Sequence, residues 1–145
     1  MIKETELRIG NIVLDHYTNM IRPITIEDFV RQGTERPKAF EYFQEVPITT
    51  GTLLSFGCRV RHKFLFDVEI ARHKILFIHL DRAEGRDGNK WLIKMYDINA
   101  APIAALEFVH QFQNLYFALS GNELISKNGL SVDEVWIDEA IKLDL

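Results

Sequence analysis

An amide-rich run is the most unusual polar cluster in the sequence. Its members are His110, Gln111, Gln113 and Asn114. No formally charged side chain occurs from residue 108 to residue 122, whereas a solvated helix face usually carries Lys and Glu. We predict a helix face that binds a protein, a nucleotide or a peptide. The alternative is that these amides bond to sheet or loop backbone, because buried polar groups must be satisfied.

A second cluster is basic. Arg59, Arg61 and Lys63 recur at every second position, so a β-strand places them on one face, which can follow a phosphate backbone. Aromatic stacking would strengthen this prediction of nucleic-acid contact, but the same period sends Phe64 and Phe66 to the opposite face. The alternative is an edge strand whose charges protect it from pairing with other strands.

A third group has the residue types of a metal site. His73, His79 and Asp81 have the same strand parity. Zinc needs three or four converging ligands, and the sequence has no ligand-spacing motif. We therefore predict no metal site, although these three residues leave metal binding open.

Enzyme signatures are missing. The sequence has no GxSxG nucleophile elbow, no P-loop, no HExxH and no dinucleotide-binding GxGxxG. We predict no catalytic residue, no cofactor and no enzymatic activity.

Hydrophobic periodicity indicates the strands that position these residues. Residues 7–14 alternate around a glycine, which predicts two short strands or one bent strand, as in small SH3-like barrels. Further strands are predicted over 40–46, 59–70, 75–80 and 91–98. The polar stretch 81–90 predicts a hairpin loop between the last two.

Caps and spacings of three and four indicate the helices. Thr25 with Asp28 fits a helix start, with Gly33 near its end and a strand as the alternative. A short helix begins at Thr49 or Thr50 and ends at residue 57.

The main helix is predicted over about 103–120, between Pro102 and Gly121. A capping pattern at residues 131–134 predicts a final helix, with a strand as the alternative. The fold class is α+β, with the main helix packed on an antiparallel sheet. The predicted core consists of Phe64, Phe66, Val68, Trp91, Ile93, Val109, Phe112, Tyr116 and Leu119.

Length, charge and cysteine content indicate the number of domains and the expected location of the protein. The 145 residues fit a single domain over 1–145, with net charge −4. Residues 46–100 carry nine basic and six acidic side chains, whereas residues 101–145 carry two and seven. The lone Cys58 predicts core packing without a disulfide, and no secretory signal or membrane-spanning run occurs. We expect a cytoplasmic protein that does not contact membranes.

Three blocks of the sequence resemble a family of small uncharacterised proteins from gut anaerobes and their prophages and mobile elements. These blocks read ELRIGN at residues 6–11, VPIT followed by LLSFG at residues 46–57, and FVHQFQNLYFALSGNEL at residues 108–124. The resemblance covers roughly residues 6–126 and implies a phage or mobile-element context. It implies no catalytic residue and no cofactor, and residues 127–145 look like a C-terminal extension.

Two functions follow as expectations. The first is an accessory protein that binds an unknown protein partner, or itself, through the amide-rich helix. The alternative is an accessory protein that contacts nucleic acid through Arg59, Arg61 and Lys63.

Overall fold

The computed structural model describes residues 2, 4–81, 90–97 and 99–126, and these residues form two antiparallel sheets and three α-helices. The strands are β1 (Ile12–Asp15), β2 (Met20–Pro23), β3 (Phe43–Glu45), β4 (Arg59–His62), β5 (Leu65–Ala71), β6 (Lys74–Asp81), β7 (Lys90–Met95) and β8 (Ala104–Leu106). The helices are α1 (Ile26–Thr34), α2 (Thr50–Ser55) and α3 (Val109–Ser120), and 3₁₀ turns occupy Glu4–Glu6 and Ala39–Tyr42. The predicted α+β class is confirmed. The body of the predicted 81–90 loop, the final helix and the extension at 127–145 lie outside the described residues.

The N-terminal strands form a three-stranded sheet in the order β2–β1–β3. Val13 of β1 pairs with Arg22 on one side and Glu45 on the other. The strand predicted from residue 7 begins only at Ile12, because the chain turns at Gly10, whose φ is 93°. The strand predicted over 40–46 shrinks to three residues after a 3₁₀ turn.

Side-chain caps start the first two helices where the sequence predicts them. Thr25 Oγ1 accepts a hydrogen bond from the Asp28 backbone N–H, and the Asp28 carboxylate accepts one from the Thr25 N–H. Thr49 and Thr52 form the same reciprocal pair at α2. Each cap of this kind stabilises a helix by about 1 kcal/mol. The helix is thus the right alternative for α1, which continues through Gly33 to Thr34.

The second sheet has the order β4–β5–β6–β7–β8, all antiparallel. The single strand predicted over 59–70 is wrong, because the chain reverses at residues 63–64 and forms a hairpin. Phe64 adopts a left-handed φ of 61° in that turn. Consequently Arg59 lies opposite Asp67 on the neighbouring strand. Lys63 is a turn residue and does not continue the row of Arg59 and Arg61.

The main helix begins six residues later than predicted. Residues 104–106 are strand β8, which pairs with β7, so the prediction of a helix from about 103 is wrong. The helix starts after Phe108 because the Gln111 side chain accepts from the backbone N–H groups of Glu107 and Phe108. It ends as predicted at Gly121, whose φ is 74°.

One core joins both sheets to α3. The predicted residues Phe66, Trp91, Ile93, Val109 and Phe112 are buried in it. The other four predicted core residues, Phe64, Val68, Tyr116 and Leu119, are partly buried and pack against the same core. Strands β5 to β7 therefore turn one face, which carries these core residues, towards α3. The residues that alternate with them along each strand point away from α3 and form what we call the outer face.

Candidate functional site

The amide-rich face of α3 is used inside the protein. Gln113 is buried, and its Oε1 accepts from the Ile12 N–H at 2.8 Å. Its Nε2 donates to the carbonyl oxygens of Gly10 at 3.0 Å and Leu124 at 3.3 Å. This one side chain therefore ties α3 to β1 and to the segment that follows the helix.

Asn114 extends the same network towards the N-terminus. Its Oδ1 accepts from Arg8 Nε at 2.8 Å and from Asn11 Nδ2 at 2.9 Å. Its Nδ2 donates to the carbonyl oxygen of Glu6 at 2.8 Å. Arg8 also pairs with Glu123 at 2.9 Å and lies over the Phe117 ring. Together with the Gln111 cap, these bonds match the alternative in which the amides bond to backbone and loops.

His110 differs from its amide neighbours. Its ring is buried and stacks on Phe108, with the ring centroids 6.1 Å apart. Nε2 lies 3.5 Å from Oε2 of Glu6, yet neither ring nitrogen has a hydrogen-bond partner within the described part of the chain. Burial lowers the pKa of His110, against the opposing effects of Glu6 and Glu45. The neutral imidazole is therefore the form that the fold favours.

The basic cluster reduces to an arginine pair held by one buried carboxylate. Asp67 is fully buried, and its Oδ1 accepts from Arg59 Nε at 2.9 Å while its Oδ2 accepts from Arg61 Nε. The side chains of Arg59 and Arg61 nevertheless remain 62% and 49% exposed. Within the described residues, Nε makes the only hydrogen bonds of either guanidinium group. The Asp67 charge offsets one arginine, so the pair keeps one net positive charge.

Lys63 stands apart from this arginine pair. It lies in the β4–β5 turn, with Nζ 5.6 Å from the centroid of the Phe64 ring. All four residues of β4 are exposed, and β4 is an edge strand of the sheet. The basic site is therefore narrower than the predicted row Arg59, Arg61 and Lys63.

An aromatic residue on the outer face lies directly beside Asp67, the carboxylate that holds the arginine pair. Phe77 on β6 is the cross-strand neighbour of Asp67 on one side and of Lys94 on the other. His79 follows Phe77 on the same face, because strand residues alternate between faces. Both are half-buried. Phe77 belongs neither to the core that joins the sheets to α3 nor to a second, smaller core cluster that contains Val13, Phe40 and Phe43. Sequence reasoning missed Phe77 because Ile75–Leu80 reads as one apolar strand, although its parity with His79 carried the signal.

The three residues considered for a metal do not converge. His73 lies in the turn between β5 and β6, whereas His79 and Asp81 lie towards the other end of β6. Six residues of strand separate His73 from His79, which corresponds to about 20 Å. Across residues 2, 4–81, 90–97 and 99–126, no group of three His, Cys, Asp or Glu side chains could hold a metal ion.

Cys58 packs in the core, as its position after a helix end predicts. Burial, with a contribution from the Asp67 charge, raises the pKa of its thiol to about 12. A thiol in this state is a poor nucleophile, because the thiolate is the reactive form.

In the described part of the chain, no helix has both the length and the apolar character needed to cross a membrane. Comparison of the chain with protein-family models, with curated proteins and with solved structures finds no match.

Proposed function

We propose that the protein binds the sugar–phosphate backbone of a nucleic acid through Arg59 and Arg61. The observation that carries this proposal is the arrangement of the two guanidinium groups on Asp67. Each group donates a hydrogen bond from Nε to the buried carboxylate, and each arginine side chain is about half exposed or more. The planar guanidinium has five N–H donors, so the outer donors of both groups remain available for phosphate oxygens.

The position of the arginines supports an anionic partner over an added β-strand. Charged side chains on an edge strand oppose pairing with another chain. A carboxylate that is completely buried beneath exposed arginines also fixes their direction, which lowers the entropy cost of binding an anion. Such a role suits an accessory protein of a phage or mobile element, which is the context that the resemblance of the sequence implies.

The test is a binding titration with fluorescent oligonucleotides over a series of salt concentrations. Binding through phosphate contacts weakens steeply with salt. We expect the double variant Arg59→Gln/Arg61→Gln to reduce the slope of log affinity against log salt by about two. The matched control is Arg72→Gln, in the exposed turn at the other end of β5, which should keep the slope.

Two outcomes would contradict the proposal: no binding at low salt, or a slope that the double variant leaves unchanged. The double variant strips both partners from a buried carboxylate and can unfold the protein. A triple variant that also carries Asp67→Asn removes that buried charge and keeps the test valid.

A second candidate function is contact with another protein, or with a second copy of this chain, through α1. Ile26 and Val30 are 67% and 57% exposed and lie one helical turn apart. Exposed apolar side chains that are grouped mark interaction surfaces. Light scattering should detect an assembly that Ile26→Ser/Val30→Ser disperses and that the control Ile103→Ser leaves intact. A wild-type chain that stays monomeric at all concentrations would exclude self-association.

A further inference from the structure

We propose that Phe77 is a stacking platform for a nucleic-acid base, and that the ligand of the outer face is a single strand. This inference rests on the proposed function, because the same arginine pair would hold the phosphates of the stacked nucleotide. It adds a second contact, with the base, on a different strand of the sheet.

The register of the sheet brings the ring and the cations together. The guanidinium groups of Arg59 and Arg61 lie on Asp67, and Asp67 is paired with Phe77 on the next strand. Adjacent strands are about 4.8 Å apart, so the Phe77 backbone lies one strand spacing from Asp67 and two spacings, roughly 10 Å, from β4. A nucleotide whose phosphate contacts the arginines therefore has its base within reach of the Phe77 ring.

The surroundings of Phe77 suit a base. Its ring is half-buried in the middle strand of the sheet and contributes to neither core cluster. Its cross-strand neighbour on β7 is Lys94, and His79 lies two residues along the same strand face. An apolar ring beside a lysine and close to an arginine pair is the combination that single-strand binding proteins use, since every base has a π-face.

A duplex fits this surface less well. The bases of a duplex are stacked inside the helix, so a ring at the centre of a sheet reaches only groove edges and backbone. Unpaired bases can be splayed out and stacked on aromatic side chains. The partner chemistry is therefore an unpaired strand, with its backbone on the β4 side and a base over β6.

The experiment compares three probes by fluorescence anisotropy: a single-stranded oligothymidylate, an abasic oligomer of the same length, and a duplex. The wild-type chain should bind the base-bearing strand on the order of tenfold more tightly than the abasic strand, which is the scale of one stacked base. Phe77→Leu keeps apolar bulk and should abolish this difference. Phe77→Tyr keeps the ring and should preserve it.

The outcomes separate this inference from the proposed function. Phe77→Leu should leave the salt slope unchanged, because it removes no phosphate contact, whereas the arginine variants reduce that slope. Equal wild-type affinity for the base-bearing and abasic strands, or full retention of base preference in Phe77→Leu, would overturn stacking while the backbone contact stands. A wild-type chain that binds none of the three probes would overturn both. Melting curves of each variant establish that it is folded before its binding is compared.

Discussion

The amide-rich face of α3 and the arginine pair of β4 are both polar clusters, and the fold uses them in opposite ways. The side chains of Gln113 and Asn114 form hydrogen bonds inside the chain through both their oxygen and their nitrogen atoms. Arg59 and Arg61 each bind Asp67 through Nε alone, and their side chains remain exposed. A polar cluster whose donors and acceptors are used internally holds the fold together, whereas one with donors left over can bind a partner.

The largest effect is expected on the α3 side of this comparison. Gln113→Ala leaves the Ile12 N–H and the Gly10 and Leu124 carbonyl groups without their partner. Because buried polar groups that lose a partner are costly, we expect a loss of about 3 kcal/mol of unfolding free energy. Urea denaturation measures this quantity.

The matched control for Gln113→Ala is Gln111→Ala, two residues away on the same helix. Gln111 caps the helix start and is only partly buried, so its loss should cost about 1 kcal/mol. A cost for Gln113→Ala no greater than that of the control would show that the buried amide does not hold the N-terminal segment.

The arginine side should show a smaller stability effect. Asp67→Asn keeps the shape of the side chain but removes the buried charge that both arginines contact. Because the arginines are exposed enough to regain water, we expect a loss of about 1–2 kcal/mol. Glu69→Gln, an exposed position on the same strand, is the control and should stay within about 0.5 kcal/mol.

His110 adds a pH dependence to the α3 side. Its pKa is lowered in the fold from an ordinary value of 6.5, so the unfolded chain binds a proton more readily. The contribution of His110 to stability is complete above that ordinary value and is lost as pH falls below it, with a slope of at most about 1.4 kcal/mol per pH unit. Denaturation at several pH values measures it.

His110→Phe should remove this part of the pH dependence. The control is His73→Asn, because His73 is exposed in a turn with a left-handed φ of 63° that asparagine tolerates. If both variants keep the wild-type slope below pH 6.5, then His110 is not the group that titrates.

Local rules predicted the starts of α1 and α2, because the signals for these two starts lie within four residues. Thr25 with Asp28, and Thr49 with the start of α2, act through contacts between near neighbours in sequence. The closing glycine at residue 121 is equally local. These parts of the fold need no knowledge of what the rest of the chain does.

The wrong predictions concern elements whose secondary structure is determined by residues distant in sequence. The alternation over 59–70 holds in both arms of a hairpin, and no glycine or proline marks the turn at Phe64. Leu106 fits a helical stripe, but pairing with Trp91 on β7 makes it a strand residue. Two of the three internal partners of Gln113, Ile12 and Gly10, lie 101 and 103 positions away, beyond the reach of any spacing argument.

The smallest effect separates the arginine pair from the basic row that the sequence predicts. Lys63 is a turn residue whose Nζ lies over the Phe64 ring, so Lys63→Gln should cost about 0.5 kcal/mol of stability. It does not share Asp67 with the arginines, so its loss should change the salt slope of binding by less than the decrease of about one expected for Arg61→Gln. Equal decreases for Lys63→Gln and Arg61→Gln would mean that the partner follows a continuous basic row. In that case the buried carboxylate beneath the arginines, and the position of Phe77 beside it, would not define the site.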